Sequence, residues 1–398
     1  MKKNILKAFA GDMIYSVIAL VVLNGIIQLF VNPYLTKEMG AANFGVILSV
    51  QSVVSIMASS FGSGANNSHL VLSAKKQHPK GDYNIFLAVI SVISLVVTLV
   101  MLIVFNELTP VMYVSAAVLM IANILRYYGD VNYKLSLNYK GFMKYYIFIS
   151  LGYFVGTLAY PLTHSWGIAI ASGEVLATVY LIFTGQLYKR PVFEPSDKFK
   201  TVMKSVWELS FAYLISSIIL NADRILVMLY IGPEEVTIFY TATLVGKVVA
   251  MLTSPLNGVI MGHLSKYEGR LSRKMMAGIS GALLTVGLVV LAASVVTSYI
   301  FVKIMYPDIY DAAKPLFLIA NAGQIFYFIS ESLMIIVLRF MGEKLQIILN
   351  IVYAVLFFAL AIPGVMFGGL HGLAVSILVA NLGRYAAVTL VGMFGRQH

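Results

Sequence analysis

Along the chain, long apolar runs alternate with short polar ones. About 20 consecutive apolar residues are enough to cross the hydrocarbon of a bilayer as a helix. On that measure the pattern predicts twelve spans. The first six lie near 13–31, 44–62, 84–105, 110–128, 145–162 and 167–187. The second six lie near 208–231, 236–256, 277–303, 315–338, 345–367 and 370–393. Spans 11 and 12 have the shortest connection and spans 7 and 8 one of the next shortest, and both pairs are read as helical hairpins.

Composition turns this pattern into a class. The 398 residues are 60% hydrophobic and only 11% charged, against roughly 25% charged in an ordinary soluble domain. The mean hydropathy is +0.87. An aqueous fold could not bury so much apolar surface, so the chain is read as a polytopic membrane protein. Its formal charge of +11 does not point to nucleic acid, because the basic residues fall almost entirely in alternate connections. With the N-terminus on the cytoplasmic side, 23 of the 28 Lys and Arg lie in inner segments. Only Lys37, Lys303 and Lys314 lie in outer ones, and Arg224 and Lys247 fall within spans. Basic residues concentrate on the cytoplasmic side of membrane proteins, so both termini are expected there. Lys2, Lys3 and Lys7 resemble the start of a signal peptide, but the run that follows is too long and lacks a small-residue cleavage site. It is expected to remain as the first span. There is no cysteine, and the six histidines show no zinc-binding spacing. No metal or other cofactor is expected.

The longest inner connection, about 188–204, carries five basic residues with Pro191 and Pro195 at the midpoint of the chain. It divides the sequence into a six-helix bundle at 1–190, a cytoplasmic linker at 191–204 and a second six-helix bundle at 205–398. The halves look related: Gly40–Ile47 and Gly232–Phe239 occupy corresponding outer turns and align without gaps. Six spans per half place both copies in the same orientation, as in parallel transporter repeats. No phosphate-binding loop is present, since Val245-Gly246-Lys247 sits inside a span without the upstream glycine.

The chemistry is carried by charges inside spans, where each costs about 2.5–3.5 kcal/mol or more at mid-depth. Spans 7 and 8 hold Asp223, Arg224 and Lys247, with Asn221 beside the first two. At 1.5 Å per residue, Arg224 lies roughly 12 Å below the turn at Gly232, and Lys247 lies deeper, near the midplane. Two readings are open: a wet pathway for something anionic, or pairing with Asp223 or Glu331 that only pins helices. Arg384, well inside span 12, is a second candidate, unless its side chain snorkels to the surface. Asn257 and Asn321, with Gln51, Asn67 and Gln324, are candidates for contacts to a polar ligand. Glu174 in span 6 and Glu331 in span 10 either balance the cations or carry a coupling ion. Asp12, Arg126, Glu208 and Arg339 lie near inner helix ends, where anchoring at the interface is the simpler role.

Short motifs in spans 1, 2, 7 and 8 carry a family resemblance. They are Asn32-Pro33-Tyr34-Leu35, Gly40-Ala41-Ala42-Asn43-Phe44-Gly45, Asn221-Ala222-Asp223-Arg224-Ile225-Leu226 and Ile231-Gly232-Pro233-Glu234-Glu235-Val236, followed by Phe239-Tyr240 and Gly246-Lys247. The sequence resembles the Wzx-type polysaccharide flippases of the multidrug/oligosaccharidyl-lipid/polysaccharide (MOP) exporter superfamily. That resemblance implies an all-α polytopic fold, MATE-like, with two six-helix bundles around a central cavity. It also implies transport, not enzymatic catalysis: alternating access would move an undecaprenyl-pyrophosphate-linked oligosaccharide (an O-antigen, capsule or exopolysaccharide unit) between leaflets. Membrane lipids, a polysaccharide polymerase and a chain-length regulator are the implied partners, and nucleic acid is not. Embedded cations in spans 7, 8 and 12, in place of an arginine cluster in the first half, are read as arguing against the peptidoglycan precursor. A multidrug antiporter of the same superfamily and an intramembrane polymerase or glycosyltransferase are the alternatives. The first would favour an acidic cavity, and the second usually has a large outer loop with catalytic carboxylates or arginines.

Overall fold

A computed structural model of the chain describes residues 2–73, 80–185, 187–188, 192–251, 253, 256–257, 260, 264 and 269–395, with backbone alone for residues 2–13 and 343. The described residues contain helices and no strands. In a bilayer the backbone must satisfy its own hydrogen bonds, and helices do so within a single segment.

Helix α1 runs from Lys2–Ile26 through a wider turn at Ile27–Val31 into Asn32–Met39. Helix α2 is built alike, from Ala41–Met57 through Ala58–Gly62 into Ser63–Ser73. Then follow α3 (Lys80–Val104), α4 (Pro110–Gly129), α5 (Tyr139–Leu158), α6 (Trp166–Thr184) and α7 (Phe199–Tyr230). Next come α8 (Pro233–Met251), α9 (Arg273–Met305) and α10 (Phe317–Met341). The helical stretch Glu343–Phe394 breaks at Gly369, whose φ of 55° and ψ of −144° are open only to glycine. The break yields α11 (343–368) and α12 (370–394). Nine helical stretches among the described residues are long and apolar enough to cross a membrane. With α5, α8 and the break at Gly369, the passages among the described residues come to twelve, each overlapping one of the predicted spans. Gly40 closes the α1–α2 junction at φ 79° and ψ 162°, a conformation that a side chain would strain.

The chain forms two compact units, Met1–Ile225 and Leu226–His398. In the first, α6 packs on α4 and α5, and α1 packs on α5. Small residues let α5 and α6 approach: a Cβ on Gly152 would stand 2.8 Å from the Gly173 Cα, and Ser172 Oγ donates to the Gly152 carbonyl at 2.8 Å. Close backbone approach through small residues is a usual way for helices to associate in lipid. Most of α7 belongs to this unit and is joined to α2 by side-chain hydrogen bonds. Ser59 meets Ser217 at 2.6 Å, Asn67 donates to Tyr213 at 2.7 Å, and Ser68 donates to Ser205 at 2.9 Å. The connection between α6 and α7 is tied to the start of α3. Asp82 accepts from the Ser196 backbone and hydroxyl, and Asn84 donates to the Leu187 and Val192 carbonyls.

In the second unit α10 is central, packing on α8, α9 and the α11–α12 pair. An apolar cluster that includes Met276, Ile329, Leu333, Val337 and Val388 fills one end.

Candidate functional site

Each unit holds a buried arginine–glutamate pair between two helices. In the first, Arg126 lies in the last turn of α4 and is 7% exposed, and Glu174 on α6 is 1% exposed. Arg126 Nε donates to Glu174 Oε2 at 2.5 Å, Nη1 to the Tyr146 hydroxyl at 3.3 Å and Nη2 to Asn123 Oδ1 at 3.4 Å. The second carboxylate oxygen of Glu174 accepts from the Tyr153 hydroxyl at 2.7 Å. Tyr146 also donates to Asp130, which Lys134 approaches at 3.8 Å. The Arg126 guanidinium lies over the Tyr127 ring at 4.4 Å. Buried charges persist when they are paired and hydrogen-bonded, and here every nitrogen of the arginine has an acceptor.

This placement corrects one reading of the sequence. Arg126 is no interfacial anchor: it turns inward from the helix end to neutralise Glu174. Embedded cations are therefore not confined to the second half of the chain, and the contrast with an arginine-bearing first half loses its basis. Of the two roles open to Glu174, balancing a cation is the one the geometry displays, with a cation that sequence reasoning had placed elsewhere.

In the second unit Arg384 on α12 is 5% exposed. Its Nη2 donates to Glu331 Oε2 and, at 3.1 Å, to Asn350 Oδ1 on α11. The guanidinium lies 5.1 Å from the Tyr327 ring centre and 4.6 Å from that of Tyr353. Tyr353 is fixed in turn: its hydroxyl donates to Asn381 Oδ1 at 2.8 Å, and Asn381 donates to the Gly323 carbonyl at 3.0 Å. Arg384 does not snorkel to the surface, and Glu331 pairs with it. The Glu331 side chain remains 26% exposed, on an α10 face that also presents half-buried Gln324 and Tyr327.

The remaining candidates divide by surroundings. Asp223 is 3% exposed on α7, and Arg224 next to it is half-buried, as is Lys247 on α8. Asn321 is fully buried and donates to the carbonyls of Phe317 and Ala242 and to the Ser298 hydroxyl. It joins α10 to α8 and α9. Asn257 is half-buried. The Asp12 side chain lies outside the described residues. Glu208 is exposed beside Lys204 at 3.9 Å, and Arg339 donates to the Leu264 carbonyl at 3.3 Å.

Comparison with solved structures finds this arrangement of helices elsewhere. The lipid II flippase MurJ in an inward closed conformation superposes with a TM-score of 0.73 at 12% identity, over 95% of this chain and 87% of that one. This chain shares its fold with that flippase. A MATE in the straight conformation gives a TM-score of 0.61 at 15% identity, covering 97% of this chain and 95% of the other. A MOP superfamily transporter from Pyrococcus furiosus gives 0.57 at 13% identity, covering 97% and 94%. At these identities the likeness is one of fold. No family model matches the sequence, and no curated protein matches it.

Proposed function

We propose that this chain is a flippase that carries an undecaprenyl-pyrophosphate-linked oligosaccharide, of the Wzx substrate class, from the inner to the outer leaflet of a bacterial plasma membrane. Both termini are cytoplasmic in this reading, and the two halves alternate access to the substrate. Such a lipid has a glycan pyrophosphate head that hydrocarbon excludes and a polyprenyl tail that water excludes. The carrier must therefore offer fixed donors and cations in place of the head's water. The observation that carries the reading is the excess of embedded cations: Arg224 and Arg384 lie within membrane-length helices, and Lys247 lies within the 19-residue helix α8. The fold's solved examples include a lipid II flippase, which supports a lipid-linked substrate. The antiporter reading draws on the MATE likeness. It is weakened because Glu174 and Glu331, two carboxylates that could meet a cationic drug, are each bonded to an arginine.

The test is genetic. Arg224→Ala and Lys247→Ala are expected to remove surface glycan while membrane abundance, measured by immunoblot, stays at the wild-type level. Intact glycan in both variants would take these residues out of the pathway.

A further inference from the structure

The two halves of the chain carry one arrangement in two chemical states. In the first, the arginine stands on the fourth helix, the glutamate on the sixth and the tyrosines on the fifth. In the second, the glutamate stands on the fourth (α10), the arginine on the sixth (α12), and Asn350 and Tyr353 come from the fifth (α11). The first pair is closed, with all three nitrogens of Arg126 donating. The second is less complete: Arg384 donates to Glu331 and Asn350 through Nη2, the Tyr327 hydroxyl stands in looser contact, and the buried Nε and Nη1 make no well-formed hydrogen bond. A buried donor without an acceptor costs about 1–3 kcal/mol, and more when it belongs to a charged group. Such a group is a place to look for a missing ligand.

A guanidinium grips an oxyanion with two parallel N–H groups. It offers two such forks, Nε with Nη2 and Nη1 with Nη2. Both include Nη2, the nitrogen held by Glu331 and Asn350. Each fork uses one of the two Nη2 hydrogens, so an oxyanion takes a fork by displacing the acceptor on that side, and of the two acceptors Glu331 is the one that carries a competing charge.

We propose that Arg384 is an oxyanion site of the phosphate class, for which Glu331 is the resident competitor. A proton accepted by the Glu331 carboxylate frees Nη2, the anion takes the fork, and loss of that proton returns the carboxylate and expels the anion. The Tyr327 and Tyr353 rings hold the guanidinium plane, and the half-buried Glu331 side is the open approach. Among the described residues, the charged and titratable groups around Glu331 are Arg384 on α12, Tyr327 on its own helix and Tyr353 on α11. On α8, where Gly246 packs against Gln324, the nearest charge in sequence is Lys247. Helix α9 has no charged residue between Lys274 and Lys303. The source of the anion as a lipid headgroup rests on the flippase reading, whereas the site itself does not.

The experiment is calorimetric titration of the purified full chain in nanodiscs with inorganic pyrophosphate and with farnesyl pyrophosphate, at acid and alkaline pH. Wild-type binding is expected to tighten as pH falls. Glu331→Gln is expected to bind about tenfold or more tightly than wild type at alkaline pH, the scale of one charge-assisted hydrogen bond. It should also lose the part of the pH dependence that does not come from the ligand's own ionisation. Arg384→Gln and Arg384→Lys should both lose binding, the second keeping the charge but not the fork. Glu331→Gln indistinguishable from wild type at both pH values would overturn the proposal, as would wild-type affinity in Arg384→Lys. Tighter binding of farnesyl pyrophosphate than of pyrophosphate supports the lipid source. Equal binding supports the site with a free anion and counts against the flippase reading alone.

Discussion

Glu174→Ala tests whether the closed pair of the first unit is a structural clamp. The substitution removes the 2.5 Å charge-assisted bond from Arg126 and the 2.7 Å bond from Tyr153, and leaves a guanidinium that is 7% exposed without its counter-charge. Removing one partner of a buried ion pair costs about 3–5 kcal/mol, most of it the penalty of the stranded charge. Glu174→Gln keeps an acceptor for Tyr153 but strands the same buried guanidinium charge, so a loss of about 3 kcal/mol, at the lower end of that range, is expected. Replacing both partners by apolar residues of similar size, Arg126→Met with Glu174→Leu, should restore stability to within about 1 kcal/mol of wild type, because no buried charge is stranded between them. Asp130 keeps its bond from Tyr146 and its contact with Lys134 in that double variant. The assay is reversible unfolding in bicelles, followed by steric trapping, on wild type, the two single Glu174 variants and the double variant. A loss below about 1 kcal/mol in Glu174→Ala, or a double variant weaker than either single one, would refute the reasoning.

Three further outcomes are expected. Gly369→Ala forces a side chain into a glycine-only conformation and should cost about 1–3 kcal/mol, read as a lower midpoint in thermal unfolding, whereas Gly368→Ala one residue earlier should cost less. Asp82→Ala releases Ser196 and with it the connection between α6 and α7; trypsin should then cut within 187–204 faster than in wild type while α3 itself stays protected. Single cysteines at Glu107 and Lys198 should react with an impermeant reagent from outside and inside respectively, since the chain has no cysteine of its own; the opposite labelling would invert the proposed topology.

The twelve passages were legible because length and hydropathy act locally: a run such as Lys80–Val104 must be a helix whatever packs against it. The break at Gly369 was legible too, between spans ending at 367 and starting at 370. Partnerships between distant residues were not. Arg126 lies in the last turn of its helix, where a basic residue usually meets water or lipid headgroups. Its burial follows from the approach of α5 and α6 through Gly152 and Gly173, which a single sequence does not display. The hydroxyl contacts that bring most of α7 into the first unit, such as Ser68 with Ser205, use residues that are common in any membrane helix. Arg384 and Glu331 were both singled out by their cost inside spans, and the structure adds that they meet. Asn321 was singled out as a contact to a polar ligand, and its hydrogen bonds go to α8 and α9 as well as to its own helix.

The most direct measurement of the flippase reading is translocation in sealed vesicles. The full chain is reconstituted with a fluorescent undecaprenyl-pyrophosphate oligosaccharide, and the fraction of glycan reached by an impermeant glycosidase is followed over time. Wild type is expected to expose the protected pool, and Arg224→Ala and Lys247→Ala to leave it protected. A protected pool in wild-type vesicles that stays at the protein-free level would contradict the account.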